Sequence, residues 1–171
     1  GHPDLAARFD LATGWDLVDG DSLPQGSRYQ GHGTAVAGLI AATEDGQGLV
    51  GVAPASTLVG FRVGFDRGAA HLAQAVALAA ARVDVLNNSW LFDGAYADTP
   101  ADAGRAALRD ALVDAAETGR GGLGAIIVFA AGNTDHATQG TTTGHSALLN
   151  LRQVIAVASS TVGNEAATLS T

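Results

Sequence analysis

Apolar residues along this chain follow two patterns. Small apolar residues recur at helical spacing in three segments, which are predicted helices: 32–42, 69–83 and 103–119. Short runs without polar alternation predict buried strands in four segments: 56–63, 83–89, 123–133 and 153–160. Helices that alternate with such strands indicate a mainly parallel sheet with helices on both faces, the three-layer α/β class. No internal repeat or linker interrupts residues 1–171, so we expect them to belong to one domain.

Polar residues stand where two of the predicted strands end. NNSW occupies 87–90, and AAGN occupies 130–133. Open α/β sheets bind ligands outside the carboxyl ends of their strands. These two strand ends are therefore the predicted location of a functional site.

Composition narrows the class of partner. The chain has 171 residues, of which 47% are hydrophobic and 15% charged, as in a folded globular protein. The nine basic residues are all arginine, and with 17 acidic residues the formal net charge is -8. No stretch of the sequence is cationic, so nucleic acid and anionic membranes are not expected partners. There is no cysteine, hence neither a disulfide framework nor a thiolate zinc site. No apolar run has the length of a membrane span, and residues 1–10 lack the features of a signal peptide.

A histidine lies between two glycines at the start of the first long predicted helix. The positive end of the helix dipole disfavours the charged imidazolium of His32, which suits a general base, and Gly31 and Gly33 let a substrate backbone approach. The alternative is a histidine that only starts a helix within a glycine turn. For an isolated His-Gly pair that alternative would be preferred, but the segment G-H-G-T-x-x-A-G is much longer.

An asparagine follows the strand predicted at 123–133. The side-chain amide of Asn133, at the end of a buried strand, is a rigid donor suited to the oxyanion that forms when a carbonyl is attacked. The alternative is a turn asparagine after Gly132. The small residues before it favour the first interpretation, because they leave room for a substrate side chain.

Several motifs together resemble one family, the subtilisin-like serine proteases. They are, in chain order, HPDL (2–5), GHGTAVAG (31–38), GVAP (51–54), LNNSW (86–90) and FAAGN (129–133). GRGGLGAIIVFAAGN (119–133) is particularly similar to the kexin and furin branch. The resemblance implies a subtilisin-like fold, incomplete in this chain, and a central part of a catalytic domain over residues 1–171.

The resemblance implies a serine-type endopeptidase in the parent protein, acting through an acyl-enzyme. His32 is then the general base, and Asn133 supplies half of the oxyanion hole. Neither the family's aspartate motif before HPDL nor its G-T-S-x-x-x-P nucleophile motif occurs in this sequence. The carboxylates that precede His32 do not match the aspartate motif: Asp10, Asp16, Asp19 and Asp21. We therefore expect this chain alone to have no peptidase activity.

Two segments resemble the family's substrate-binding elements. Ser89, Trp90 and Leu91 match the segment along which an extended peptide is added as a strand. Ala130, Ala131 and Gly132 match the wall of the adjoining specificity pocket. For Trp90 the alternative of a core aromatic beyond the strand end is about equally weighted.

The resemblance also implies a structural calcium site. Its ligands would be the carboxylates of Asp4 and Asp45 and three backbone carbonyls, an all-oxygen set suited to a hard cation. The carbonyls belong to Thr43, Gln47 and Leu49. The alternative is a solvated turn, and Asp45 stands where the family often has asparagine.

Three further interpretations bear on function. GQGLVG (46–51) matches a dinucleotide fingerprint, but it follows a predicted helix and precedes a strand, the reverse of the required order. In the kexin-like enzymes that the sequence resembles, acidic residues of the substrate pocket bind basic side chains. Tyr29 and Thr143 stand roughly where two of those acidic residues would lie, and Asp93 is a partial replacement for them.

A non-catalytic module that binds extended peptides is the second functional hypothesis. The expected partners are an extended polypeptide and the remainder of the catalytic domain, in a secreted or periplasmic protein.

Overall fold

The computed structural model describes residues 2–26, 31–92, 94–133, 142–165 and 167. Two compact units are present, residues 1–64 and residues 65–171. The helices are α1 (Pro3–Ala6), α2 (His32–Ala41), α3 (Ala69–Ala80) and α4 (Ala103–Gly122). The strands are β1 (Trp15–Asp16), β2 (Phe61–Arg62), β3 (Val85–Asn88), β4 (Ile126–Ala130) and β5 (Val154–Val157). All three predicted long helices are therefore confirmed.

The first unit packs α1 against α2 beside a short parallel strand pair. Leu5, Ala37 and Ala42 form its buried core, against which Phe9 and Leu58 pack. Strands β1 and β2 pair in parallel, and one isolated bridge joins Phe9 to Leu58.

The strand predicted at 56–63 is shorter than expected, and a turn in its partner explains why. Between the Phe9 bridge and β1, the carboxylate of Asp10 accepts hydrogen bonds from the backbone N–H groups of Ala12 and Thr13 and from the Thr13 hydroxyl. These bonds fold residues 10–13 into a turn, so this stretch cannot pair with the strand that faces it.

A buried carboxylate joins the ends of β1 and β2. Asp16 is 1% exposed, and its side chain accepts hydrogen bonds from the backbone N–H groups of Val18 and Asp19 and from the Arg62 guanidinium, at 2.9 Å. Burial by itself would raise the pKa of Asp16, but the hydrogen bonds from Arg62 and the backbone outweigh it and lower that pKa. The ion pair thus fixes the loop after β1 onto β2.

The second unit is a three-stranded parallel sheet in the order β3-β4-β5. Helices α3 and α4 pack against each other and against one face, where Leu86, Ile127 and Phe129 are buried. The opposite face of the described sheet is about half exposed at Val85, Ile126, Ile155 and Val157. The absence of polar alternation in β4 is consistent with apolar side chains on both of its faces.

Helix α4 ends in a glycine turn, as its sequence predicts. Helical geometry stops at Gly119, and Arg120 and Gly121 take left-handed conformations with φ of 54° and 67°. The Arg120 guanidinium pairs with Asp84 at 2.6 Å and donates to the carbonyl of Gly124, which holds this turn below the start of β4. The left-handed residues reverse the chain into the strand.

The Asp16 carboxylate predicts an acid-sensitive first unit. Because its pKa is lowered by folding, its stabilisation is complete above the ordinary Asp pKa of about 3.9 and is lost as the pH falls through the lower folded value. Asp16→Asn should cost about 1–3 kcal/mol at neutral pH and should flatten the loss of stability in acid. Thermal unfolding of the full-length protein between neutral pH and acid measures both effects. The exposed Asp66→Asn is the control, and equal acid sensitivity in both variants would contradict the assignment.

Candidate active site

His32 is the first residue of α2. Gly31 precedes it as the N-cap residue, and no side chain caps this end of the helix. The His32 side chain is exposed, and within the described part of the first unit it has no hydrogen-bond partner. The predicted helix start is confirmed, and the catalytic role of His32 stays a prediction.

The carboxylates that precede His32 in the sequence all bond to nearby groups. Three of them, Asp10, Asp16 and Asp21, accept hydrogen bonds from the backbone of their own turns. Asp16 and Asp19 also contact the Arg62 guanidinium. These carboxylates hold loops together, which agrees with their mismatch to the family's aspartate motif.

Asn133 emerges at the carboxyl end of β4 through a glycine turn. Ala131 is buried, and its N–H donates to the carbonyl of Val157 at 2.8 Å. Gly132 then takes a φ of 118°, a conformation that glycine adopts far more readily than other residues. The chain leaves the sheet at this point, and Asn133 is exposed.

The predicted substrate segment leaves the same edge of the same sheet. Residues 89–91 follow β3 directly, and β3 pairs with β4 in parallel, with Asn88 opposite Phe129. The buried amide of Asn88 donates to the carbonyl of Val128 at 3.3 Å, so the ends of the two strands are tied together. The structure therefore brings Ser89–Leu91 beside Ala130–Asn133, as the sequence predicts for residues at adjacent strand ends.

Trp90 has its ring in an aromatic cluster. Its ring centroid lies 5.0 Å from that of Phe129, 5.7 Å from that of Phe65 and 6.1 Å from that of Phe92, in edge-to-face geometry. The structure thus favours the core-aromatic alternative for the side chain of Trp90. Its backbone continues the line of β3, and outside the strand ladders no backbone hydrogen bond of residues 89–91 is found in the described chain.

Asp4 contacts the loop at 43–49, which carries the other residues of the predicted calcium site. The N–H and the hydroxyl of Thr43 donate to the carbonyl of Asp4 at 2.9 and 3.0 Å, and a Cβ at position 48 would collide with the Asp4 carboxylate. Asp45 is exposed and accepts a hydrogen bond from the N–H of Gln47. Among the described residues, no cluster of three or more His, Asp or Glu side chains is found. The predicted ligand set has only two carboxylates, with carbonyl oxygens as the other ligands.

The glycine loop at 46–51 does not open a helix. It turns back onto the end of α2, where the N–H of Gly51 donates to the carbonyl of Ala42 at 3.0 Å. Without a helix N-terminus behind it, the loop has no place for a pyrophosphate. This geometry agrees with the rejection of a dinucleotide site.

Sequence reasoning did not find the most buried polar connection of the second unit. Asp98 is 5% exposed and accepts hydrogen bonds from Ser146, Ala147 and Leu148. The two segments lie far apart in the sequence and neither contains a motif, so only a three-dimensional structure brings them together.

The comparison with known proteins decides the family. The profile of the Subtilase family matches residues 1–171. The chain belongs to the subtilase family. The resemblance drawn from the motifs is thereby confirmed.

Curated relatives of this subtilase chain include an endoprotease and thermitase. It is 37% identical over 145 residues to the dibasic-processing endoprotease of Schizosaccharomyces pombe, an alignment that covers 79% of this chain and 19% of that protein. It is 46% identical over 63 residues to thermitase of Thermoactinomyces vulgaris, covering 36% of this chain and 21% of thermitase. The chain thus spans about a fifth of the length of these relatives.

Solved structures confirm the fold. A serine protease of Aeromonas sobria, crystallised in complex with a chaperone, matches with a TM-score of 0.82 and 20% identity over 100% of this chain and 32% of its own. MycP1 without its N-terminal propeptide matches with a TM-score of 0.68 and 24% identity, over 91% of this chain and 53% of its own. At these identities the likeness establishes the subtilisin-like fold. In the described residues, no helix is long and apolar enough to cross a membrane.

Contact between Asp4 and the loop at 43–49 predicts unequal effects of two glycine substitutions. Gly46 and Gly48 both have positive φ, 81° and 63°, but only a Cβ at position 48 would meet Asp4. Gly46→Ala should cost about 1 kcal/mol of folding free energy from backbone strain, and Gly48→Ala about 1–3 kcal/mol more. Denaturant unfolding of the two variants measures the difference. Equal losses would show that Asp4 does not pack on this loop.

Proposed function

We propose that the full-length protein is a serine-type endopeptidase and that this chain supplies its general base and one oxyanion donor. The observation that carries the proposal is the joint exit of Ser89–Leu91 and Ala130–Asn133 from one edge of the parallel sheet. Membership of the subtilase family supports the same activity. Substrate and oxyanion donor then meet at adjacent strand ends.

The chemistry assigns one task to each group. A serine hydroxyl from outside this sequence attacks the scissile carbonyl, and the imidazole of His32 takes its proton and returns it to the leaving amine. The amide of Asn133 donates to the oxyanion that forms on the carbonyl oxygen. Ala131 and Gly132 lack bulky side chains, which leaves space beside Asn133 for the substrate side chain at the cut.

The substrate is an extended peptide that pairs with the backbone of residues 89–91. The ring of Trp90 packs among three phenylalanines, so this residue contributes its backbone groups. Main-chain hydrogen bonds give affinity for a peptide of any sequence, and pockets for alternate side chains give a preference for particular residues of that peptide.

A non-catalytic module that binds extended peptides is the second candidate. The backbone of residues 89–91 favours it as much as it favours the enzyme. A serine-directed phosphonate separates the two candidates, because it labels the full-length peptidase covalently and leaves a binding module unlabelled.

A structural calcium ion is proposed for the first unit. The carboxylates of Asp4 and Asp45 would hold it, with carbonyls of Thr43, Gln47 and Leu49, a hard-cation donor set. Thr43 fixes the backbone at Asp4, and the lack of a side chain on Gly48 makes room for the Asp4 carboxylate. The ion would join the N-terminal segment to the loop after α2. A secreted or periplasmic location, where calcium is plentiful, is part of the same proposal.

Removal of the two proposed catalytic groups should lower turnover by different amounts. Asn133→Ala should reduce kcat about 100- to 1,000-fold, the range known for loss of the oxyanion asparagine of subtilisin, and His32→Ala should reduce it more, because the nucleophile then has no base. Hydrolysis of a fluorogenic peptide by the full-length protein measures both. Asn164→Ala changes an exposed asparagine after β5 and should leave kcat unchanged. Wild-type turnover in Asn133→Ala would refute the oxyanion role.

Calcium should stabilise the full-length protein through the first unit. By mass action, a free concentration of about 100 times Kd adds about 2.7 kcal/mol to the unfolding free energy. The melting temperature should therefore rise from chelator to millimolar calcium, and Asp4→Asn and Asp45→Ala should each weaken the rise. Asp66→Asn serves as the control at an exposed aspartate. A rise that is unchanged in both site variants would place the ion elsewhere.

A further inference from the structure

The last residue of β3 places a polar side chain on an apolar face of the sheet. Asn88 is 8% exposed and lies on the same face as Leu86, where the helices cover the sheet. Phe129 is the residue opposite Asn88 in β4, and it is buried on the same face. Burial of an amide is unfavourable unless the amide is hydrogen-bonded. The contacts of Asn88 therefore decide what this residue contributes.

The amide nitrogen of Asn88 has two acceptors, which matches the two hydrogens it carries. Nδ2 donates to the carbonyl of Leu86, in its own strand, and to the carbonyl of Val128, in β4, at 3.3 Å in each case. The second bond crosses from β3 to β4 and adds to the backbone ladder at its last pair. One side chain thus connects the two strands at the point where β3 ends.

The two strand ends are restrained to different degrees. Strand β4 stays paired with β5 up to its end, and the N–H of Ala131 donates to the carbonyl of Val157 just beyond it. Residues 89–91, in contrast, have no backbone hydrogen bond outside the strand ladders within the described chain. The ring of Trp90 packs on β4. The direction in which residues 89–91 leave the sheet therefore depends on this ring contact and on the Asn88 amide.

Stability alone does not account for an amide at this position. A branched apolar side chain of similar shape, such as leucine, would be buried beside Leu86 and Phe129 without the cost of removing an amide from water. What the amide adds is direction, because a hydrogen bond weakens steeply away from its preferred distance and angle. The bond to Val128 therefore restricts how the end of β3 can turn relative to β4.

Direction matters because the proposed reaction uses both strand ends at once. A peptide paired with residues 89–91 brings its scissile carbonyl to the amide of Asn133, which follows β4. A misplacement of about 1 Å, caused by a substitution away from the reacting atoms, can lower a rate about 100-fold. A small rotation of residues 89–91 relative to β4 would move the carbonyl away from its donor.

We propose that Asn88 is a positioning residue that aligns the substrate segment with the oxyanion strand. The inference rests on the proposed function, because it takes residues 89–91 as the substrate strand and Asn133 as the oxyanion donor. The amide is buried and donates within the sheet, so it acts through the backbone of residues 89–91 and does not touch the substrate. Its loss should therefore affect the substrates that pair with that backbone and spare those that do not.

Two substrates of different length test this role in the full-length protein. A fluorogenic peptide long enough to pair with residues 89–91 is compared with nitrophenyl acetate, which has no peptide backbone to pair. Asn88→Leu and Asn88→Ala should each lower kcat for the peptide about 10- to 100-fold with little change in KM, because alignment is lost and affinity is kept. Turnover of nitrophenyl acetate should stay near the wild-type value.

A control variant separates alignment from stability. Val76→Ala shortens a side chain that is 4% exposed in the middle of α3. It should lower the melting temperature and leave kcat for both substrates unchanged in assays well below that temperature. The melting temperature of each variant is measured alongside its kinetics. Asn88→Leu should melt close to the wild-type protein, because its apolar side chain suits the face on which it lies.

The outcomes separate this inference from the proposed function. Equal losses on the peptide and on nitrophenyl acetate, or a rise in KM at unchanged kcat, would overturn the positioning role alone. Wild-type peptide turnover in the folded Asn88 variants would do the same, as would a failure of both variants to fold, which would assign the amide to stability. If the proposed function itself is wrong, the wild-type protein hydrolyses neither substrate and is not labelled by the serine-directed phosphonate.

Discussion

The parallel pairing of β3 with β4 is the constraint on which the candidate site depends. It places Asn88 opposite Phe129, so the residues after each strand begin at the same height on one edge of the sheet. A shift of one residue would turn away from the helices either Leu86 of β3 or Ile127 and Phe129 of β4, because side chains alternate between the two faces. The burial of these side chains therefore fixes the register. The register in turn places residues 89–91 beside Asn133.

A buried carboxylate holds one loop in each unit. Asp16 fastens the loop after β1 to Arg62, and Asp98 fastens the loop after β3 to Ser146 and its neighbours. Asp16 is the last residue of β1 and Asp98 lies in the loop after β3, and each carboxylate accepts hydrogen bonds from backbone N–H groups. A hydrogen-bonded charge has one favourable geometry, whereas a small apolar contact tolerates several, so these loops have defined positions.

Local patterns in the sequence predict the elements well and the connections between them poorly. Helices α2, α3 and α4 and strands β3, β4 and β5 follow from periodicity, since their apolar residues must face a core. The strand at 56–63 is shortened by the Asp10 turn, which belongs to the opposite segment and leaves no mark on residues 56–63 themselves. The Asp98 contacts join residues far apart in the chain, so no spacing rule could have found them. His32 and Asn133 are predicted as site residues because the family motifs include their neighbours.

The wide separation of the paired strands along the chain has a consequence for how the sheet is made. Strand β3 acquires its partner only after the whole of α4 and then β4 have been synthesised, and β4 must wait in the same way for β5. Contacts between residues so distant in sequence slow folding, because the entropy of closing the intervening loop is lost before the pairing energy is gained. During that interval the apolar side chains of β3 and its unpaired backbone groups are open to other chains. The time needed to synthesise the residues between β3 and β4 therefore sets the shortest period for which the emerging polypeptide is vulnerable to aggregation.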